Sequence, residues 1–278
     1  MPMRFAATTA AYYVNLRLNL KMDLPTRRET VLGLFDRLRR QRPNLARFRR
    51  YQNELALESD GPDGGTSERP AQQEWVAVRR TSVRAGSVCP REWDDAYALH
   101  TAVIEAAPYY LDISALDIDS VEVLLGFDLA AGGNHDAIVC EALMSGTPLA
   151  GLAAAEATGV MAQGRRAAFV PVDCQPVFGV ALDESLNMQA HVEVKTRSAH
   201  RPALAAAGNG SHAARQAGGD EPISLYLIVR RFGPFSDIAH LPAVLGEIRV
   251  AAHDLLDRFV EPKVLSPIRD HIVAGGWS

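Results

Sequence analysis

The stretch that decides the fold is Tyr13-Val14-Asn15-Leu16-Arg17-Leu18-Asn19-Leu20. Val14, Leu16, Leu18 and Leu20 alternate with polar residues, the period of two that turns one face of a strand into a core and the other toward water. Downstream, Asp23-Leu24-Pro25 makes a turn, and Thr26 with Glu29 forms a capping box in which both side chains satisfy orphan backbone donors. The spacing of Val31, Leu34, Phe35 and Leu38 then predicts a helix that Pro43 ends near Arg40.

The same order of events continues. A strand is expected over Ala46 to Glu58, a Gly/Pro/Asp/Ser-rich loop over Asp60 to Ala71, and a strand over Trp75 to Arg80. Pro90 opens a helix predicted from Arg91 to about Ala106. A second unit starts with the strand Val121 to Phe127, turns at Ala131-Gly132-Gly133 and enters a helix at Asn134. Strands are predicted over Pro176 to Leu182, Met188 to Arg197 and from Ile223, with a loop near 199–221 that lacks periodicity and reads as disordered. The longest apolar stripe, Ile238 through Phe259, forms a C-terminal helix.

These signals predict an α+β fold, a mainly antiparallel sheet with helices packed on one face and a long C-terminal helix. Two repeats of a strand-helix-strands-helix unit, 1–115 and 116–278, together form one body. Val78-Arg79-Arg80 and Val229-Arg230-Arg231 each close a strand after a long loop. The match covers only short stretches, and a tandem duplication or coincidence both produce it. Repeated units of this kind resemble the saddle of the TATA-box-binding protein, and a sheet gripping a long helix is similar to the helix-grip lipid-binding folds. Both are resemblances of architecture, without a shared motif.

A chain of 278 residues, 47% hydrophobic and 22% charged, can bury an ample core. Met1 to Ala11 is too short and polar for a secretory signal, and no segment reads as a membrane span, so a cytoplasmic protein is expected. Cys89, Cys140 and Cys174 are odd in number and widely spaced, which suits reduced thiols. The net charge of −4 argues against nucleic-acid binding over the whole surface. Its distribution is uneven: nine arginines against Glu29 and Asp36 give Thr26 to Arg50 a balance of +7 and leave −11 on the rest.

Four constellations can carry chemistry. At Gly132-Gly133-Asn134-His135-Asp136 a turn meets a helix N-terminus, with His135, Asp136 and Cys140 as catalytic candidates; the plainer reading makes Asn134 a cap and Cys140 a core residue. Asp112, Asp117, Asp119 and Asp128 gather carboxylates without a calcium-loop spacing, so no metal is expected. Arg37, Arg39, Arg40, Arg42, Arg47, Arg49 and Arg50, with Phe48 and Tyr51 between them, suit anion or partner binding, or else a dipole-matched helix end and a charge-guarded edge strand. An apolar pocket between sheet and helix would draw on Trp93, Tyr97, Phe127, Phe178, Tyr226 and Phe232, residues that equally suit a core.

With no nucleotide loop, nucleophile elbow or paired metal motif, the sequence points to a non-catalytic binding or protein-interaction module without a cofactor. Its expected partner is an unidentified protein or a polyanion. The alternatives are a hydrolytic or phosphoryl-handling enzyme at Gly132–Asp136 and nucleic-acid binding through 37–50. A homodimer through an edge strand, either the one ending near Glu58 or the one at Val14, fits the same pattern.

Overall fold

The computed structural model describes residues 5, 8–24, 28–59, 72–149, 156–162, 165–168, 171–196 and 221–275. The Thr26 cap, the Asp60–Ala71 loop and nearly all of the 199–221 loop lie outside them. In chain order the elements are β1 (Ala11–Leu20), α1 (Arg28–Gln41), β2 (Leu45–Tyr51), β3 (Glu54–Ser59), β4 (Gln73–Arg79), β5 (Ser82–Val88) and α2 (Trp93–Leu111). They continue with β6 (Ile118–Leu129), α3 (His135–Met144), β7 (Glu156–Ala162), β8 (Arg165–Ala168), β9 (Val177–Ala181), β10 (Met188–Lys195) and β11 (Ile223–Phe232). A 3-10 turn, Ile238–His240, leads into α4 (Leu241–Leu255), a π-helical stretch (Leu256–Leu265) and α5 (Ser266–Ala274), which together make the long C-terminal helix.

Nine strands form one antiparallel sheet in the order β2-β3-β4-β5-β1-β6-β11-β10-β9, and β7 pairs with β8 separately. The opening stretch of sequence therefore sits at the centre. Val14, Leu16 and Leu18 of β1 face Leu125, Val123 and Val121 of β6, all fully or nearly fully buried. The helices pack on this face with their own apolar stripes, Val31, Leu34, Phe35 and Leu38 of α1 and Leu241, Leu245, Ile248 and Ala252 of α4. Period two in the strands meets period 3.6 in the helices, and one core results.

The sheet joins the two halves of the chain through its central strands. The last strand before each second helix folds back beside the first strand, β5 beside β1 and β11 beside β6, and β1 pairs with β6 at the seam. The sheet runs unbroken across the 115/116 boundary. Yet Val78-Arg79-Arg80 and Val229-Arg230-Arg231 do not occupy matching places: the first closes β4, the second lies in β11 against β6. Between them lies β5, which the sequence conceals because Arg80-Thr81 turns the β4–β5 hairpin without the usual glycine or asparagine, and because Ser82, Ala85, Gly86 and Ser87 have weak strand preference. The expected strand from Ala46 to Glu58 is likewise two, folded at Gln52-Asn53. The edges of the sheet are β2 and β9, so the strand at Val14 is central, and of the two strands within the expected Ala46–Glu58 span β2 is an edge and β3 is not.

Among the described residues no helix is long and apolar enough to cross a membrane. The seam carries the stability of the whole. Leu16→Ala should lower the unfolding free energy by about 2–5 kcal/mol in a urea titration, whereas Tyr109→Ala, on a side chain 82% exposed, should stay within about 0.5 kcal/mol of wild type.

Candidate functional site

The helix N-terminus of α3 is built as the sequence suggests, and hydrogen bonds tie it to neighbouring segments. Asn134 caps it, accepting from Ala137 N at 3.1 Å and donating from Nδ2 to Pro171 O at 3.0 Å. His135 is fully buried, and its Nε2 lies 2.8 Å from the Ala131 carbonyl; only a protonated Nε2 can serve that acceptor. The Asp136 carboxylate, also buried, accepts from Cys174 N at 2.9 Å and from the Thr196 hydroxyl, tying the segment before β9 and the end of β10 to α3. Cys140 meets the Cys174 thiol, which burial, Cys140 and then Asp136 push up to about 12. A thiol held that high is a poor nucleophile. His135, Asp136 and Cys140 are thus brought to one place that holds the helix to its neighbours.

The carboxylates scatter. Asp117 accepts from Ser114 N and Oγ at 2.8 and 2.7 Å, and those bonds hold it below the ordinary aspartate range. Asp128 accepts from Ser224 Oγ at 2.7 Å, and Asp112 caps α2 in the left-handed conformation. Among the described residues no group of three metal-binding side chains assembles.

The arginine run splits three ways. Arg37, Arg39 and Arg40 are exposed on α1, with Arg39 3.9 Å from Asp36. Arg42 is a clamp: Nη1 donates to the buried Glu74 at 3.0 Å and Nη2 to Asp95 O at 2.9 Å, while Asn44 donates to the other Glu74 oxygen at 2.6 Å. Arg47 and Arg49 share one face of β2 and Arg50 the other.

That first face is the site. The register places Arg49, Ala56, Ala77, Arg84, Arg17, Glu122 and Arg230 in one row across seven adjacent strands, on the side of the sheet away from the helices. Glu54 accepts from Arg79 and lies 3.5 Å from Arg84. Glu122 accepts from Arg230 Nε at 2.7 Å. Arg17, between Arg84 and Glu122, makes no ion pair among the described residues, and its buried Nε has no hydrogen-bond partner there; nor has the buried Oδ1 of neighbouring Asn15. Burial first, then the Arg79 and Arg17 charges, lower the affinity of Arg84 for its proton despite Glu54 and Glu122. Arg79 and Arg84 therefore share Glu54, and Arg17 stands beside Arg84 without an ion pair among the described residues.

Aromatic side chains lie down between these charges. Trp75 covers Gly86, where an added Cβ would stand 2.6 Å from the ring, and carries the Arg84 guanidinium 5.4 Å from its centroid. Tyr13 covers Gly126 and stands 6.3 Å from Tyr226, which carries Lys195 at 5.5 Å. Of the six expected pocket aromatics, Tyr226 and Phe232 belong to this open face, Phe127 is core, and Trp93 and Tyr97 pack on His253. Only Phe178 lines an apolar cleft, on the opposite face.

Sequence reasoning missed Arg17, Arg79, Arg84, Glu54 and Glu122. Each looks like a solvated strand residue until strand order brings five of them together. The available signal was Gly86 and Gly126, glycines inside strands, which mark close approach of another group.

Two measurements separate structural from surface groups here. Arg42→Ala should cost about 3–5 kcal/mol of stability by leaving Glu74 buried short of a partner, and Arg37→Ala should cost almost nothing. Desolvation lowers His100 to about 3 from 6.5, outweighing a backbone contact from Val14, with Arg42 acting in the same sense as burial. Because the unfolded chain then takes up the proton first, stability should fall as pH drops from 6.5 toward 3, and a His100→Leu variant should show a shallower slope.

No family model matches this chain, and neither a curated protein nor a solved structure does.

Proposed function

We propose that the chain is a non-catalytic protein-interaction module that engages a carboxylate-bearing partner protein with the open face of its sheet. The observation that carries this is the cluster in which Arg79 and Arg84 share the Glu54 carboxylate while Arg17, beside Arg84, makes no ion pair and keeps its buried Nε without a hydrogen bond among the described residues. Stability does not call for such an arrangement. Replacing buried ion pairs by apolar side chains is often neutral or stabilising, by about 1–4 kcal/mol. A planar guanidinium, by contrast, binds a carboxylate through two parallel hydrogen bonds and gains most where water is scarce.

The mixed signs favour a protein over a nucleic acid. Glu54, Glu58 and Glu122 stand among the arginines of this face and would repel an unbroken phosphate backbone, whereas protein interfaces pair charges of both signs. Trp75, half-buried and held flat on Gly86, offers rigid contact area beside the charges. Arg47 and Arg49 extend the cationic track to the β2 edge, which gives part of the arginine run a place in the same surface. Cytoplasmic residence, where the three thiols stay reduced, goes with this reading.

The test is a titration of the protein with a labelled oligoglutamate and, separately, a labelled single-stranded oligonucleotide at low and physiological salt. Arg17→Glu/Arg84→Glu should weaken oligoglutamate binding about tenfold or more, with Arg84→Gln as the milder variant if the double one loses its fold. Reversal of Arg37, Arg39 and Arg40 should leave it unchanged. Equal binding by wild type and Arg84→Gln would remove the sheet face as the site, and tighter binding of the oligonucleotide at physiological salt would replace the protein partner with a nucleic acid.

A further inference from the structure

The two edges of the sheet are treated in opposite ways. β2, Leu-Ala-Arg-Phe-Arg-Arg-Tyr, is guarded by Arg47, Arg49 and Arg50, the usual defence of an edge against pairing. β9, Val-Phe-Gly-Val-Ala, has no charge, no proline and no bulge, and every one of its residues is exposed. Phe178 is 69% exposed and Val177 63%.

The hydrogen-bonding groups that β9 leaves unpaired among the described residues follow from the ladder. Val194 N donates to Pro176 O at 3.0 Å and Leu182 N to Met188 O at 2.7 Å, so the even-numbered residues of this strand bond to β10. The N–H and C=O groups of Val177, Gly179 and Ala181 therefore point away from β10, and among the described residues no strand pairs with them. Side chains alternate with them. Phe178 and Val180 point to the helix face, the face of Val192 and Ala190, their partners on β10.

On that same face a cleft of about 280 Å³ opens beside the edge. Its sheet wall is Phe178, Val192 and Val194; its helix wall is Phe259, Val260 and Val264. The helix wall belongs to the π-helical stretch, where Ser266 N reaches back five residues to Glu261 O, and such departures from α geometry often mark functional sites. Lys263 is the one charged residue of the lining, is exposed, and has no ion pair among the described residues. An open strand, an apolar cleft on one side of it and an unpaired cation are the three parts needed to bind an extended chain: backbone pairing for affinity, a pocket for alternate side chains, and a charge to fix the end.

We propose that β9 and this cleft form a second interaction site, one that takes an extended peptide segment of a partner protein as a tenth strand. The segment carries apolar side chains at alternate positions, which drop into the cleft, and a carboxylate that meets Lys263. The site lies on the opposite face from the arginine cluster and does not depend on it.

The test is selection of a random peptide library with free C-termini on the wild-type protein and on Ala181→Pro. That substitution removes an outward N–H and leaves the bonds to β10 intact; Val177→Lys, a charge on the edge, is the companion variant should the proline disturb the fold. Enriched peptides should alternate apolar residues and end at or near a carboxylate. Labelled copies should bind wild type in fluorescence anisotropy, lose about tenfold or more on Ala181→Pro and Val177→Lys, and about fivefold or more on Lys263→Glu. C-terminal amidation then separates a terminal carboxylate from an acidic side chain. The proposal fails if nothing is enriched over the variants or if the peptides bind wild type and variants alike. It also fails if sedimentation shows a dimer that Ala181→Pro dissolves, since a second copy then occupies the edge.

Discussion

Everything in this molecule depends on the pairing of β1 with β6. It joins two β-sheet halves into one, and its register decides what each face becomes. On one side it aligns Val14, Leu16 and Leu18 with Leu125, Val123 and Val121, and the helices close over them. On the other it aligns Arg17 with Glu122 and brings Arg84 alongside through β5. A slip of one residue would exchange these faces and put guanidinium groups into the core, so the hydrophobic face holds the charged face in place.

The two faces obey different energetics. Burial of aliphatic side chains gives the helix face its contribution to stability without directional demands. The open face carries charges partly removed from water, where pairs of opposite sign roughly break even and an excess of one sign is unfavourable. Its aromatic side chains are closely seated, because Trp75 and Tyr13 lie on glycines, and the Arg84 guanidinium stands over the Trp75 ring. A surface that is rigid, half-desolvated and electrostatically incomplete is suited to recognition, and the shielded core beneath it supplies the stability it lacks.

The histidine, aspartate and cysteine at the start of α3 illustrate how one local pattern supports two meanings. A polar cluster at a helix N-terminus has the composition of an anion site. Here Ala131 O engages His135 Nε2, Cys174 N and Thr196 engage one oxygen of Asp136, and the cluster anchors the segment that leads to β9. Those partners come from 4, 38 and 60 residues away in sequence. A local reading has no access to the last two.

The sequence by itself determined the elements whose signal is local. Alternation marked β1, β10 and β11, apolar stripes marked α1 and α4, and their order indicated an antiparallel sheet covered by helices, because side-chain periodicity follows directly from backbone geometry. Tertiary structure decided what depends on neighbours distant in the chain: that β5 exists as a strand between β4 and β1, that β2 and β9 are the edges, and that Arg17, Arg79, Arg84, Glu54 and Glu122 form one cluster. Strand order is set by long-range pairing, and pairing energy is shared among cross-strand partners rather than written in any one strand. For that reason Arg17 reads as a solvent-facing residue in the sequence and becomes the centre of a charged surface only when four other strands arrive beside it.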